Sequence, residues 1–191
     1  MQQGVKKALE RLYMNKMSHF EIYKKNQVLY IEYGFIYVTL LFFMMFLPFK
    51  GVTNLISSVI LFWLFIAMIV LLINQNINKE LDFDDLFQDT NLPSKLKLFL
   101  TSIIIFILVL IEINIFNKFE TVNWLFNFIQ MLITILQSLL IALFTMNKIH
   151  LFTTAVIYTA LSSLITCITL FIGGIFLTPY LLIALFRKKM I

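Results

Sequence analysis

The residue types in this 191-residue chain best suited to chemistry are the pair His150 and Cys167 and the aspartate cluster Asp84-Asp85-x-x-x-Asp89. An imidazole beside a thiol would make a hydrolytic nucleophile, and convergent carboxylates would hold a divalent cation. Spacing argues against both. His150 and Cys167 lie seventeen residues apart in one apolar run, which on a helix puts about 25 Å between them. The aspartate cluster has no second acidic motif and no glycine turn to converge its oxygens. It sits among Lys79, Glu80, Asp82, Lys95 and Lys97, the pattern of a solvated charged face. There is no Gly-x-Ser-x-Gly, no His-Glu-x-x-His and no phosphate-cradling glycine loop. No catalytic, cofactor-binding or metal-binding residue is therefore assigned, and the expectation is a protein that is not an enzyme. His150 reads as a membrane-end residue beside Lys148, and Cys167 as a small hydrophobe.

The elements that must carry any function are set by composition. Hydrophobic residues make up 61% of the chain, with 21 Phe and only 13% charged residues, and the mean hydropathy is +0.93. That excludes an ordinary soluble core and predicts an all-α, polytopic integral membrane helix bundle. Residues 1–27 form a basic region in which Val5, Leu9, Leu12, Tyr13, Met17 and Phe20 recur at helical spacing, the signature of an amphipathic helix on the cytoplasmic membrane surface. No small-x-small cleavage pattern follows the first apolar segment, so this region is expected to be retained. Residues 28–191 form one transmembrane domain with spans at about 28–47, 52–73, 98–116, 122–146, 149–172 and 173–187. Pro48 closes the first span.

Three sets of residues stand out within that frame. The acidic loop 74–97 carries Leu81, Phe83, Leu86 and Phe87 at the spacing of a short amphipathic helix, a candidate surface for docking a cytoplasmic partner. Intramembrane polar residues are few: Glu112 near the end of the third span, and Gln130 and Gln137 seven apart on one face of the fourth. Amides facing lipid would be left unpaired, so that face is expected to pack against protein, with Glu112 a candidate neighbour. Glu32 and Trp124 read as interfacial groups, and Ser57 and Ser58 as hydroxyls bonded back to their own helix.

The third set is a seam. Ala155, Thr159, Ser162, Thr166, Thr169 and Gly173 recur at spacings of 4, 3, 4, 3 and 4, a line of small residues that lets a second helix approach closely. It lies in the uncharged run from Ile149 to Phe186, which at about 57 Å of helix is too long for one crossing of a core about 30 Å thick. The seam predicts a fifth helix reaching Gly173-Gly174, which leaves only Ile175 to Phe186 for a sixth. The alternative is an earlier turn between Ser162 and Thr169, and Pro179 could kink the last segment.

Charge sets the orientation. With six spans and both termini inside, thirteen of the fifteen Lys and Arg fall on the cytoplasmic side; with five spans, ten do. Six spans, N-in and C-in, are expected, and the net charge of +5 is assigned to the inner face of a bacterial cell membrane, not to nucleic acid.

A basic entry helix, six spans and an amphipathic helix in the second-to-third cytoplasmic loop together resemble, in topology, the membrane subunits of the second class of ABC exporters. The resemblance implies a dimer or other membrane subunits, with the loop helix carrying Leu81, Phe83, Leu86 and Phe87 docked on a separate cytoplasmic ATPase. The other class compatible with so few intramembrane charges is an accessory or immunity-type protein that binds another membrane complex or shields the bilayer.

Overall fold

A computed structural model describes residues 18–46, 50–74, 93–116, 124–169 and 171–190, and every regular element among them is helical. In chain order they are α1 (His19–Lys25), α2 (Gln27–Phe46), α3 (Lys50–Asn74), α4 (Lys95–Phe116), α5 (Trp124–Thr145), a single 3-10 turn (Ile149–Leu151), α6 (Phe152–Ile168) and α7 (Ile172–Met190). Five of them, α2 to α5 and the Ile149–Ile168 rod made by the 3-10 turn and α6, are long and apolar enough to cross a membrane. Helices are the expected form, because in hydrocarbon each backbone N–H and C=O must find its partner within the segment. The proposed surface helix up to residue 17 and the candidate docking residues Leu81, Phe83, Leu86 and Phe87 lie outside the described residues.

The bundle is built round α3. In α3, 72% of the apolar window is buried, against 28% in α4, so α3 is the central rod and α4 a peripheral one. From Leu61 to Leu72 nearly every α3 side chain is enclosed, and the helix packs on α2, α4, α5 and α7. α4 rests on α3 and α5 and turns Phe99, Ile103, Phe106, Ile107, Leu110 and Ile111 outward, as a lipid-facing helix does.

Local chemistry explains the ends. Ser18 and Glu21 form a reciprocal capping box that starts α1, with the Glu21 N–H donating to Ser18 Oγ at 3.2 Å and the Ser18 N–H to Glu21 Oε2 at 2.7 Å. Phe20 is 64% exposed, and Ile22 is the α1 side chain that enters the core. α5 ends at Thr145, and in the turn beyond it Asn147 has a φ of 56°, the left-handed geometry that asparagine tolerates after a helix. The Lys148 N–H then returns to the Leu143 carbonyl at 2.7 Å.

The fifth predicted span needs correction. The helix does not run to Gly173-Gly174; α6 ends at Ile168 with Thr169 as its cap, at the edge of the alternative earlier turn between Ser162 and Thr169, and α7 begins at Ile172. There the Thr169 N–H caps the Ile165 carbonyl at 2.9 Å, the Phe171 N–H caps Thr166 at 2.8 Å, and Phe171 adopts a φ of 70°. Once the orphan carbonyls are satisfied in this way, the helix has no need of the glycines as its stop signal. Gly173 opens α7 instead. α7 has 19 residues, but its apolar part, Ile172–Arg187, is shorter than the five helices that are long and apolar enough to cross a membrane.

Candidate functional site

Two buried polar layers cross this apolar bundle, one between α2 and α6 and the other at the junction of α3, α4 and α5.

The first begins with tyrosines. Tyr30, Tyr33 and Tyr37 follow one another at helical spacing on α2, and all three are fully buried. The Tyr33 and Tyr158 hydroxyls lie 2.6 Å apart, and the Tyr37 hydroxyl meets Ser162 Oγ at 2.8 Å. The backbones of α2 and α6 scarcely approach one another, so the long phenol side chains bridge the gap and close it with hydrogen bonds at their tips. Rings continue the layer: Tyr33 stacks on Tyr37 with centroids 5.8 Å apart, and Phe65 and Phe186 meet Tyr158 edge-on. Beside them a cavity of about 10 Å³, lined by Phe65, Ile69, Leu72, Leu139, Leu182 and Phe186, offers no polar group to hold water.

The seam residues fall in this layer. Ala155, Thr159, Ser162 and Thr166 are all buried on α6, whereas Thr169 is half-buried at the turn and Gly173 sits on α7. The two halves still meet. A methyl added at Gly174 would come within 2.8 Å of Thr166 Oγ1 and 3.0 Å of Val38, and one at Gly173 would strike Thr169. One at Gly34 would collide with the carbonyl of Ile175. Ile175 is the residue four before Pro179, so its carbonyl has no helical N–H to bond, and the side-chain-free face of Gly34 admits it. Glycines and small hydroxyls thus hold α2, α6 and α7 together, with α7 wedged between the other two.

The second layer contains the intramembrane polar residues. Glu112 and Gln130 are each 7% exposed, and Thr134, one turn beyond Gln130, is fully buried. The Thr134 hydroxyl lies 3.2 Å from Glu112 Oε1 and 3.0 Å from the Gln130 carbonyl. Glu112 therefore meets the face of α5 that carries both glutamines, at a threonine between them. Gln137 is half-buried, and its Nε2 has no hydrogen-bond partner among the described residues. Ser138 reaches the Ser58 carbonyl of α3 at 3.2 Å, and Ser58 bonds its own helix at Leu55. Glu32 is exposed on α2, and Trp124 is 70% exposed at the start of α5.

No family model, curated protein or solved structure matches the chain. The chemistry has to be read from the geometry alone. His150 is exposed on the 3-10 turn and Cys167 is half-buried near the far end of α6, so the two do not form a nucleophile–base pair. Among the described residues no three His, Cys, Asp or Glu side chains converge. The aspartate cluster lies outside those residues.

The ends of the helices are polar in a patterned way. Lys97, at the start of α4, donates to Asn147 Oδ1 at 3.3 Å, and Lys189, at the end of α7, donates to Thr154 Oγ1 near the start of α6 at 2.7 Å. Arg187 is 3% exposed within electrostatic reach of Tyr30 and Glu21. The tyrosine ladder was the feature least visible beforehand. Its signal is present in the sequence, since four of the seven tyrosines fall between residues 23 and 37, but nothing in the sequence names the serine and tyrosine that answer them.

Proposed function

We propose that this chain is a non-enzymatic, six-span subunit of a larger assembly in a bacterial cell membrane, with both termini in the cytoplasm, and that it works by associating with another membrane protein. The observation that carries the reading is the disposition of its polar groups. Hydroxyls, the carboxylate and the glutamine-bearing face of α5 are turned into contacts between its own helices, while α4 offers an apolar flank to whatever shares the bilayer. Such a molecule has surface to bind with and little chemistry to spare.

Six spans and the orientation are supported by the helix ends. The Lys97–Asn147 and Lys189–Thr154 contacts, together with the Arg187–Glu21 proximity, gather the basic ends of α1, α4, α5 and α7 at one end of the bundle. Basic residues concentrate on the cytoplasmic side of membrane proteins. Reporter fusions at Met1 and Ile191 should both read cytoplasmic; an external signal at Ile191 would remove α7 as a span.

Two forms of the association are distinguishable. An accessory or immunity-type protein fits the closely packed interior. The exporter-subunit form is favoured by α1, a capped helix set directly before the first span, as in the topology the sequence resembles. Affinity purification from native membranes decides between them: an ATPase that co-purifies, and is lost when Phe83 and Phe87 become Ser, supports the exporter subunit. Recovery of a membrane partner with no ATPase supports the accessory form.

A further inference from the structure

Glu112 is the titratable group whose surroundings the association reading leaves unexplained. Its side chain is more than nine-tenths buried, and Oε2 has no hydrogen-bond partner among the described residues. Oε1 faces the Thr134 hydroxyl, but that hydroxyl has one proton and a second acceptor, the Gln130 carbonyl, at 3.0 Å. An ionised carboxylate removed from water needs several donors or a counter-charge. The neighbouring helices supply no charge: α3 from Gly51 to Ile73 and α5 throughout contain no titratable residue. On α4 the other charges are Lys95 and Lys97, at the opposite end; fifteen residues of helix place Lys97 about 22 Å away. In sequence, two further basic residues flank this end of the two helices: Lys50, the first residue of α3, and Lys118, two residues after α4.

One neutral oxygen, Thr134 Oγ1, meets the carboxylate, and the helix directions bring other neutral polar side chains to the same level of the bundle. α4 runs antiparallel to α5, since Lys97 meets Asn147 at one end and Glu112 meets Thr134 further along, and antiparallel to α3, on which it packs with its last residues at the first of α3, Gly51 abutting Ile113. α3 and α5 are therefore parallel, with Ser58 level with Ser138, and this places the buried Asn54 at the height of Thr134 and Glu112. We propose that Glu112 is the carboxylate of a monovalent-cation site at the α3–α4–α5 junction, taking a proton or an alkali ion.

Charge selects the valence, since one carboxylate with neutral oxygens would leave a divalent ion uncompensated in the membrane. A bound proton removes the buried charge and fits the geometry: the acid O–H on Oε1 donates to Thr134 Oγ1, Thr134 donates to the Gln130 carbonyl, and Oε2 is left as a neutral carbonyl oxygen. An alkali ion would instead take the hard oxygens of Glu112 and Thr134, with Asn54 on α3 and Gln130 on α5 the amides at that level of the bundle. Either occupant ties the peripheral α4 to the centre of the bundle.

The test uses the full chain in detergent and dicyclohexylcarbodiimide, an apolar reagent that adds a protonated carboxyl across its C=N bond and leaves an N-acylurea. Mass spectrometry of the Glu112 peptide should show modification that declines as pH rises. Slowing by sodium or potassium chloride, relative to choline chloride, identifies an alkali ion; equal rates in all three identify the proton. In parallel, thermal stability of the native chain in choline chloride should fall as the medium becomes alkaline, and Glu112→Gln should abolish that dependence while remaining folded. The proposal is overturned if native and Glu112→Gln chains respond identically to pH and salt. It is equally overturned if the difference vanishes in Lys50→Gln or Lys118→Gln, which would make a lysine of this chain the counter-charge.

Discussion

Gly34→Ala tests the packing of the bundle at its tightest point. The added methyl would sit 2.7 Å from the carbonyl carbon of Ile175 and closer still to its oxygen, where carbon atoms prefer about 3.5–4.0 Å. Both partners are backbone, so no side-chain rotation relieves the clash; α2 and α7 must separate by about 1 Å. Overpacking of this kind costs about 1–3 kcal/mol. The Tyr33–Tyr158 bond at 2.6 Å and the Tyr37–Ser162 bond at 2.8 Å lie within one turn of Gly34, and stretching either removes part of a buried hydrogen bond worth about 1 kcal/mol. The expected loss is therefore about 2–4 kcal/mol, measured by reversible denaturant titration of the purified protein in mixed micelles. Gly51→Ala is the internal control. Its methyl would meet only the Ile113 side chain at 3.4 Å, an ordinary contact, and the variant should stay within about 1 kcal/mol of the native chain. If Gly34→Ala is as stable as Gly51→Ala, α2 and α7 do not meet at Ile175, and the account of the α2–α6–α7 interface fails with it.

Three further outcomes follow from the same interface. Tyr33→Phe and Tyr158→Phe should each cost about 1–3 kcal/mol by leaving the other phenol unpaired, while the double variant costs less than the two together, a coupling read from a double-mutant cycle. Ser162→Leu should destabilise by more than 2 kcal/mol, about the sum of one overpacked site and the loss of Tyr37's partner, in the same titration. Thr166→Ala should cost about 1 kcal/mol or less, since among the described residues its hydroxyl bonds the Ser162 carbonyl of its own helix, at 2.7 Å; a large loss would mean that Thr166 holds another helix by its oxygen.

By itself the sequence determined what depends on the sum of local terms. Long uncharged stretches specify apolar helices wherever they occur, because desolvation of the backbone is the same for every residue, and so the positions of the first four spans were legible to within a few residues. The turn at Asn147 was legible for a similar reason, since an asparagine tolerates the left-handed geometry that ends a helix. Only the tertiary structure decided the rest. α6 ends at Ile168 although Thr169 to Phe171 contains no glycine or proline; the more conspicuous Gly173-Gly174 instead brings α7 close to α2 and α6. The face of the fourth span that carries Gln130 and Gln137 could be recognised as one that avoids lipid, but it took the fold to bring Thr134 to Glu112. The tyrosines of α2 were visible one by one, yet their meaning depends on Tyr158 and Ser162, each 125 residues away in the chain. Periodicity reports which face of a helix is buried; the identity of what buries it is a property of contacts between segments, and no local pattern contains it.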